Sequence, residues 1–196
     1  VLKRVLGYGL PVVLLDHDLT LPRVSSVRED GLEGARQAVA YLVDHGHRAI
    51  AYAHWRHTEL NPWRLQGYRQ GMREAGIRRR RAWEFFVELT VEGARNVVDS
   101  WVRLTPRPTA IYCFNNTLAV HTIEALRRRG FKVPEDVSVV GGGSEEVPGL
   151  TCLQADWSHL GRIAVQIVLK KTTRPEHHRG AHAMRRGVTT GRCGLS

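Results

Sequence analysis

The stretch from Pro108 to Gly143, PTAIYCFNNTLAVHTIEALRRRGFKVPEDVSVVGGG, constrains the fold more than any other part of the chain. Thr109 to Phe114 is an apolar run of strand length, and Asn115-Asn116 stands at its exit. Asn116 suits the N-cap of a helix whose apolar face is Ala119, Val120, Ile123 and Leu126. Arg127 to Arg129 place positive charge on the last turn, and Gly130 supplies the stop. Val137 to Val140 reads as a second buried strand that leaves through Gly141-Gly142-Gly143. Two strands joined by a helix form a parallel β-α-β unit, and such units present ligands at the carboxyl ends of their strands. One exit here bears two amides and the other is bare.

The same alternation runs back toward the start. A helix over Gly31 to His45 gathers Leu32, Ala35, Val39, Leu42 and Val43 on one face, and Gly46 ends it. Ala49 to Ala53 is a strand. Asn61-Pro62 forms a cap and first-turn pair for a helix carrying Leu65, Tyr68, Met72 and Ala75, closed by Gly76. Phe85 to Leu89 is a strand, and Thr90 caps a helix with Ala94, Val97, Val98, Trp101 and Leu104. This succession predicts an α/β fold of parallel, doubly wound sheets. The tail from Lys170 is irregular, basic and rich in His, with room for a short strand around Met184 to Thr189.

These segments also carry a resemblance. The opening unit resembles the effector-binding region of LacI/GalR-type transcriptional regulators, where P-T-A-hydrophobic leads to N-D, a helix, Gly, and V-P-x-D-hydrophobic-S-V-V-G. Tyr41 to Ala53 (YLVDHGHRAIAYA) resembles the family's L-x-x-x-G-H-R-x-I-A segment, and Arg64 to Ile77 (RLQGYRQGMREAGI) its R-x-x-G helix. Leu150 to Val168 (LTCLQADWSHLGRIAVQIV) resembles its L-T-T-hydrophobic-x-x-D-x-x-x-L-G segment. The fragments occur in family order over roughly Pro11 to Val168, and their joint occurrence is what makes the match specific.

The resemblance implies a two-lobed, periplasmic-binding-protein-like (type I) fold with three crossovers and an incomplete first lobe. Residues 1–28 and 155–180 would form the partial N-terminal lobe, and 29–154 with 181–196 the C-terminal lobe. No helix-turn-helix headpiece precedes Val1, so operator DNA would be reached only through a segment outside this chain. A small polar effector, sugar-like in many members, would lie between the lobes. Its expected contacts are Asp16 after the strand PVVLLD, Arg64 of R-x-x-G, Asn115 of the N-D pair and Trp157 at the lobe crossover. An arginine fork suits bidentate contacts, a primary amide both donates and accepts, and an indole packs on a ring face. The helix Thr117 to Arg129, with Thr122, Ile123 and Leu126, would be the homodimer interface. The chain departs from the pattern at Gly143, where an acid is usual, at Asn116 in place of the second member of the N-D pair, and at Leu89 in place of an aromatic.

Composition bounds the alternatives. The net charge of +10 comes from 25 Arg and 4 Lys against 19 acids, and its one tight cluster, Arg78 to Arg81, reads as a solvated loop. Cys113, Cys152 and Cys193 are widely spaced without C-x-x-C, which fits a reducing cytosol and argues against a disulfide framework or a zinc site. The longest apolar run, Leu10 to Leu15, is strand-sized, and Gly and Pro interrupt the start where a signal peptide would stand. A cytoplasmic protein is expected. Gly141 to Ser144 lacks the rest of a phosphate-loop motif and is followed by Glu145-Glu146. His54, His57 and Glu59, or His177-His178, lack the spacing of a helical metal pair. No nucleophile motif such as G-x-S-x-G supports catalysis, so neither an enzyme, a metal nor a cofactor is expected. An extracytoplasmic solute-binding protein of the same fold is the rival reading, and a dimerisation remnant that binds no ligand is a third.

Overall fold

The computed structural model describes residues 2–17, 21–57, 61–143, 147–170 and 174–193. The chain divides into two compact units, one of residues 1–30 and 155–182 and the other of 31–154 and 183–196. It therefore passes from one unit to the other three times.

The larger unit is built on a six-stranded sheet. Its strands are β3 (Ile50–Trp55), β4 (Glu84–Val87), β5 (Ala110–Cys113), β6 (Ser138–Gly143), β7 (Cys152–Ala155) and β9 (His182–Arg185), in the order β4-β3-β5-β6-β7-β9. Pairing from β4 through β7 is parallel, with Tyr52 beside Glu84 and Tyr112, and Tyr112 beside Val140. From β3 the chain steps one way to β4, through α3 (Trp63–Glu74), then returns past β3 to β5 and β6 through α4 (Val91–Val102) and α5 (Asn116–Arg128). Right-handed crossovers put helices on opposite faces when the direction of travel reverses. Accordingly α3 packs with α2 (Gly31–Asp44), and α4 packs with α5. The reversal opens between the carboxyl ends of β3 and β5, which is where this architecture takes ligands.

Close packing of α2 on α3 requires Gly67. A Cβ there would lie 2.0 Å from the Leu32 carbonyl oxygen and 3.0 Å from the Ala35 Cβ. The glycine of the R-x-x-G motif is thus a packing requirement, and it sets the height at which Arg64, one turn earlier, meets the sheet. Tyr68 and Met72 fill the space beneath, both about 1% exposed. On the other face Trp101 is buried and donates from Nε1 to the Pro108 carbonyl at 2.8 Å.

Several boundaries differ from the sequence reading. Gly141 to Gly143 do not form an exit loop but continue β6, paired with Cys152 to Gln154 of β7. Asn115, not Asn116, caps α5, accepting the Leu118 amide at 2.8 Å. Asn61 does not cap α3: the cap position is Pro62, with helical dihedrals and no side-chain bond. Thr90 caps α4 as expected, accepting the Gly93 amide at 3.1 Å. The tail is ordered by the sheet it follows. Thr189 exchanges hydrogen bonds with Val139, both at 2.7 Å, and the Cys193 amide donates to the His45 carbonyl at 2.9 Å. The expected strand lies earlier, as β9.

The smaller unit holds α1 (Leu2–Gly7), a parallel sheet in the order β1 (Val12–Leu15), β2 (Val24–Glu29), β8 (His177–Gly180), and α6 (Trp157–Leu169). Val27, Leu160, Ala164 and Ile167 form its core. All six residues of β2 are buried, including Arg28 and Glu29. His182 meets Glu29 at 3.1 Å with both side chains nearly sealed, and His177 bonds Ser26 at 2.8 Å. The His-rich tail is therefore paired with the strand at its side.

Candidate ligand-binding site

Side chains alternate across a strand, so Tyr52 and His54 share one face of β3, as do Tyr112 and Phe114 along β5. Register places Glu84 beside Tyr52 and Phe86 beside His54 on β4. The result is two rows of side chains beneath α3. In the inner row Tyr52 stacks on Tyr112, with centroids 4.7 Å apart and planes within 10°, and Tyr68 of α3 lies 5.1 Å from Tyr52. In the outer row, nearest the strand ends, His54 stands 5.2 Å from Phe114 and 6.0 Å from Phe86.

Arg64 covers this outer row. Its guanidinium lies 4.8 Å above the Phe114 ring and donates from Nη1 to the Phe114 carbonyl. The side chain is buried. Bare Gly142 makes room for it, since a Cβ there would come within 3.2 Å of Nη1. Asn115 follows Phe114 directly, half-buried. Its Oδ1 is committed to the Leu118 amide, which leaves the Nδ2 group as its remaining side-chain donor. Asn116 turns inward: it is 2% exposed, bonds Cys152, and its Oδ1 would lie 2.5 Å from a Cβ on Gly141.

Burial holds the His54 imidazole down at about 4, against weaker upward pulls from the Trp55 and Asn61 carbonyls and with further lowering by Arg64 and Arg69. His54 is consequently neutral near neutral pH. Burial would raise the Glu84 carboxyl, but paired bonds from Arg79 and Arg69, at 2.6 to 3.1 Å, outweigh it and hold it low. Burial pushes the Cys113 thiol up to about 12, so it is inert near neutral pH.

The larger unit thus brings Arg64 and Asn115 together at the β5 exit. Asp16 and Trp157 belong to the smaller unit. Asp16 is exposed just after β1 with a left-handed φ of 56°, its amide bound to the Val27 carbonyl at 2.9 Å. Trp157 opens α6 half-buried and packs with Val13 and Ile163 on that unit's core. Gly143, where an acid is usual, has a φ of 131° with open space around it. A side chain there would be strained by the backbone, not by neighbours.

The expected dimer residues need correction. Thr122 and Leu126 are fully buried and Ile123 is 7% exposed, packed in the larger unit's own core. They face inward because the apolar stripe of α5 is what holds it to β5, β6 and α4. Sequence reasoning gave His54 only as a weak metal candidate and did not single out Phe114. Period-two spacing of Tyr52 and His54 was the available signal. Glu59 and the stretch Ser144 to Glu146, parts of the rejected metal and phosphate readings, lie outside the described residues.

Residues 39–192 match the family model of the periplasmic binding protein-like domain. The chain belongs to that family. It is 28% identical over 182 residues to the HTH-type transcriptional repressor PurR of Photobacterium profundum, covering 89% of this chain and 54% of that protein. The chain spans about half the length of the curated relatives it matches. Among solved structures it is similar to a LacI transcriptional regulator from a Rhodococcus species, with a TM-score of 0.86 at 25% identity, covering 97% of this chain and 73% of that one. A complex of the transcriptional regulator CelR with cellobiose gives a TM-score of 0.79 at 25% identity, over 92% of this chain and 59% of that one. These findings agree with the LacI/GalR resemblance and the two-lobed fold read from sequence. The relatives are regulators, not enzymes, in line with the non-catalytic expectation. Among the described residues no helix is long and apolar enough to cross a membrane.

Proposed function

We propose that this chain is the ligand-sensing core of a LacI-type transcriptional regulator and that a small polar, sugar-like molecule binds at the carboxyl ends of β3 and β5. One observation carries the reading. At the switch point of the sheet, Arg64 is held over the Phe114 ring beside Asn115, and glycine at 142 keeps its seat open. A buried guanidinium, a free amide donor and an aromatic wall are the groups that orient a hydroxylated ring. Asp16 and Trp157 are proposed as further contacts, to be tested by substitution. The same reading carries a homodimer and control of operator DNA through a helix-turn-helix segment outside this chain, in the cytoplasm. Regulator relatives favour it over the solute-receptor alternative.

Thermal-shift and calorimetric titration with cellobiose and D-ribose test the proposal. A ligand at one hundred times its Kd stabilises the fold by about 2.7 kcal/mol, a rise of very roughly 5 to 11 °C for a chain of this size. Arg64→Ala should abolish the shift. No stabilisation of the wild type by either sugar, or an unchanged response in Arg64→Ala, would overturn the reading.

A further inference from the structure

His54 belongs to the outer row that Arg64 covers, yet the LacI/GalR resemblance gives it no role. Its Nδ1 sits against the Trp55 carbonyl. A carbonyl only accepts, so Nδ1 carries the proton, and in the neutral ring Nε2 is then a bare lone pair. That nitrogen is fully buried and has no hydrogen-bond partner among the described residues. Asn61 lies against the same ring through its backbone carbonyl, and its own Oδ1 is likewise buried without a partner. Buried polar atoms are costly unless something bonds them, and two acceptors cannot satisfy each other. Both open positions ask for a donor.

Resting on the binding-site reading above, we infer that His54 Nε2 is a specificity-determining acceptor of this site, taking a hydrogen bond from an O–H or N–H of the ligand, with Asn61 Oδ1 as a second open acceptor. The chemical class selected is a molecule presenting neighbouring donors, such as a pair of ring hydroxyls. Low affinity for protons keeps the lone pair available at neutral pH, since burial and the Arg64 and Arg69 charges hold the imidazole neutral. The aromatic neighbours Phe114 and Phe86 stand 5.2 and 6.0 Å from the ring.

Long-range proton–nitrogen correlation spectra of the chain with isotope-labelled histidine decide the matter. In the free protein at neutral pH, His54 should show a protonated Nδ1 and a bare Nε2. Cellobiose or D-ribose should then shift the Nε2 resonance alone and saturably, and Arg64→Ala should remove that response. His54→Phe, which keeps an aromatic ring, should fold with near wild-type melting and weaken the sugar about two- to tenfold. A proton on Nε2 in the free protein, or sugar binding that moves the Asn115 amide and leaves Nε2 unmoved, overturns the role of His54 while the site stands. If neither sugar perturbs Asn115, Arg64 or His54, the site reading fails and this inference falls with it.

Discussion

Asn115 has two separable jobs, and one substitution series tells them apart. Its Oδ1 accepts the Leu118 amide at 2.8 Å, satisfying a donor that the first turn of α5 would otherwise leave open. Replacing such a cap by Ala costs about 1 kcal/mol. For a chain of this length that lowers Tm by about 2 to 4 °C. Asn115→Asp keeps the acceptor and adds negative charge at a helix N-terminus, worth about 0.3 to 1 kcal/mol of stabilisation. The aspartate, however, has no Nδ2 donor. Stability should therefore rank Asp at or above Asn and both above Ala, whereas sugar affinity should be highest for Asn and fall for both variants. Scanning fluorimetry with and without cellobiose or D-ribose reads both orders in one experiment. A loss in Asn115→Asp as large as in Asn115→Ala would refute the cap, and undiminished binding in Asn115→Asp would refute the donor.

Gly67→Ala should destabilise by about 1 to 3 kcal/mol or more through overpacking, because the new Cβ would meet the Leu32 carbonyl at 2.0 Å. Gly161→Ala, in α6 with nothing within 4 Å, should instead stabilise by about 0.5 to 1 kcal/mol through helix propensity, and urea melts of the pair check the contrast. Glu84 has a folded pKa below its unfolded one, so it contributes stability above the unfolded value of about 4.3 that is lost as pH falls through the folded value. Tm in Glu84→Gln should accordingly fall less steeply with acid, and an acid limb as steep as wild type would contradict the two-arginine clamp. The imidazole of His54 is also held below its unfolded value, at about 4. Its neutral form supports the fold above about pH 6.5, and that support is lost as pH falls from there toward 4. His54→Phe should flatten that part of the stability profile, and an unchanged profile would show that His54 is not its source.

Much of the architecture was legible because local signals agreed with the global fold. Thr90, Gly46, Gly76 and Gly130 mark helix ends where side-chain chemistry and dihedrals leave little choice, the three glycines all having positive φ. Arg64 and Asn115 were legible through their motifs. What eluded the sequence depends on distant partners. Either asparagine of the Asn115-Asn116 pair can cap a helix, and in the fold Asn116 lies inside, bonded to Cys152 where bare Gly141 leaves it room. Three glycines look like a loop until Cys152 to Gln154 pair with them. The tail lacks periodicity because Thr189 and Gly191 are held by hydrogen bonds to Val139, Thr151, Ser138 and His47, not by an apolar face. Thr122, Ile123 and Leu126, expected at a dimer interface from the resemblance, are buried within the larger unit, and the apolar spacing of Ile123 and Leu126 already marks the core face of α5.

The most direct test of the central claim is a crystal structure of this chain soaked with cellobiose or D-ribose. The account predicts a sugar ring seated on Phe114 at the carboxyl ends of β3 and β5, bonded by Arg64 and by the Asn115 Nδ2 group. A sugar ordered elsewhere on the chain, with Arg64 and Asn115 untouched, would contradict it.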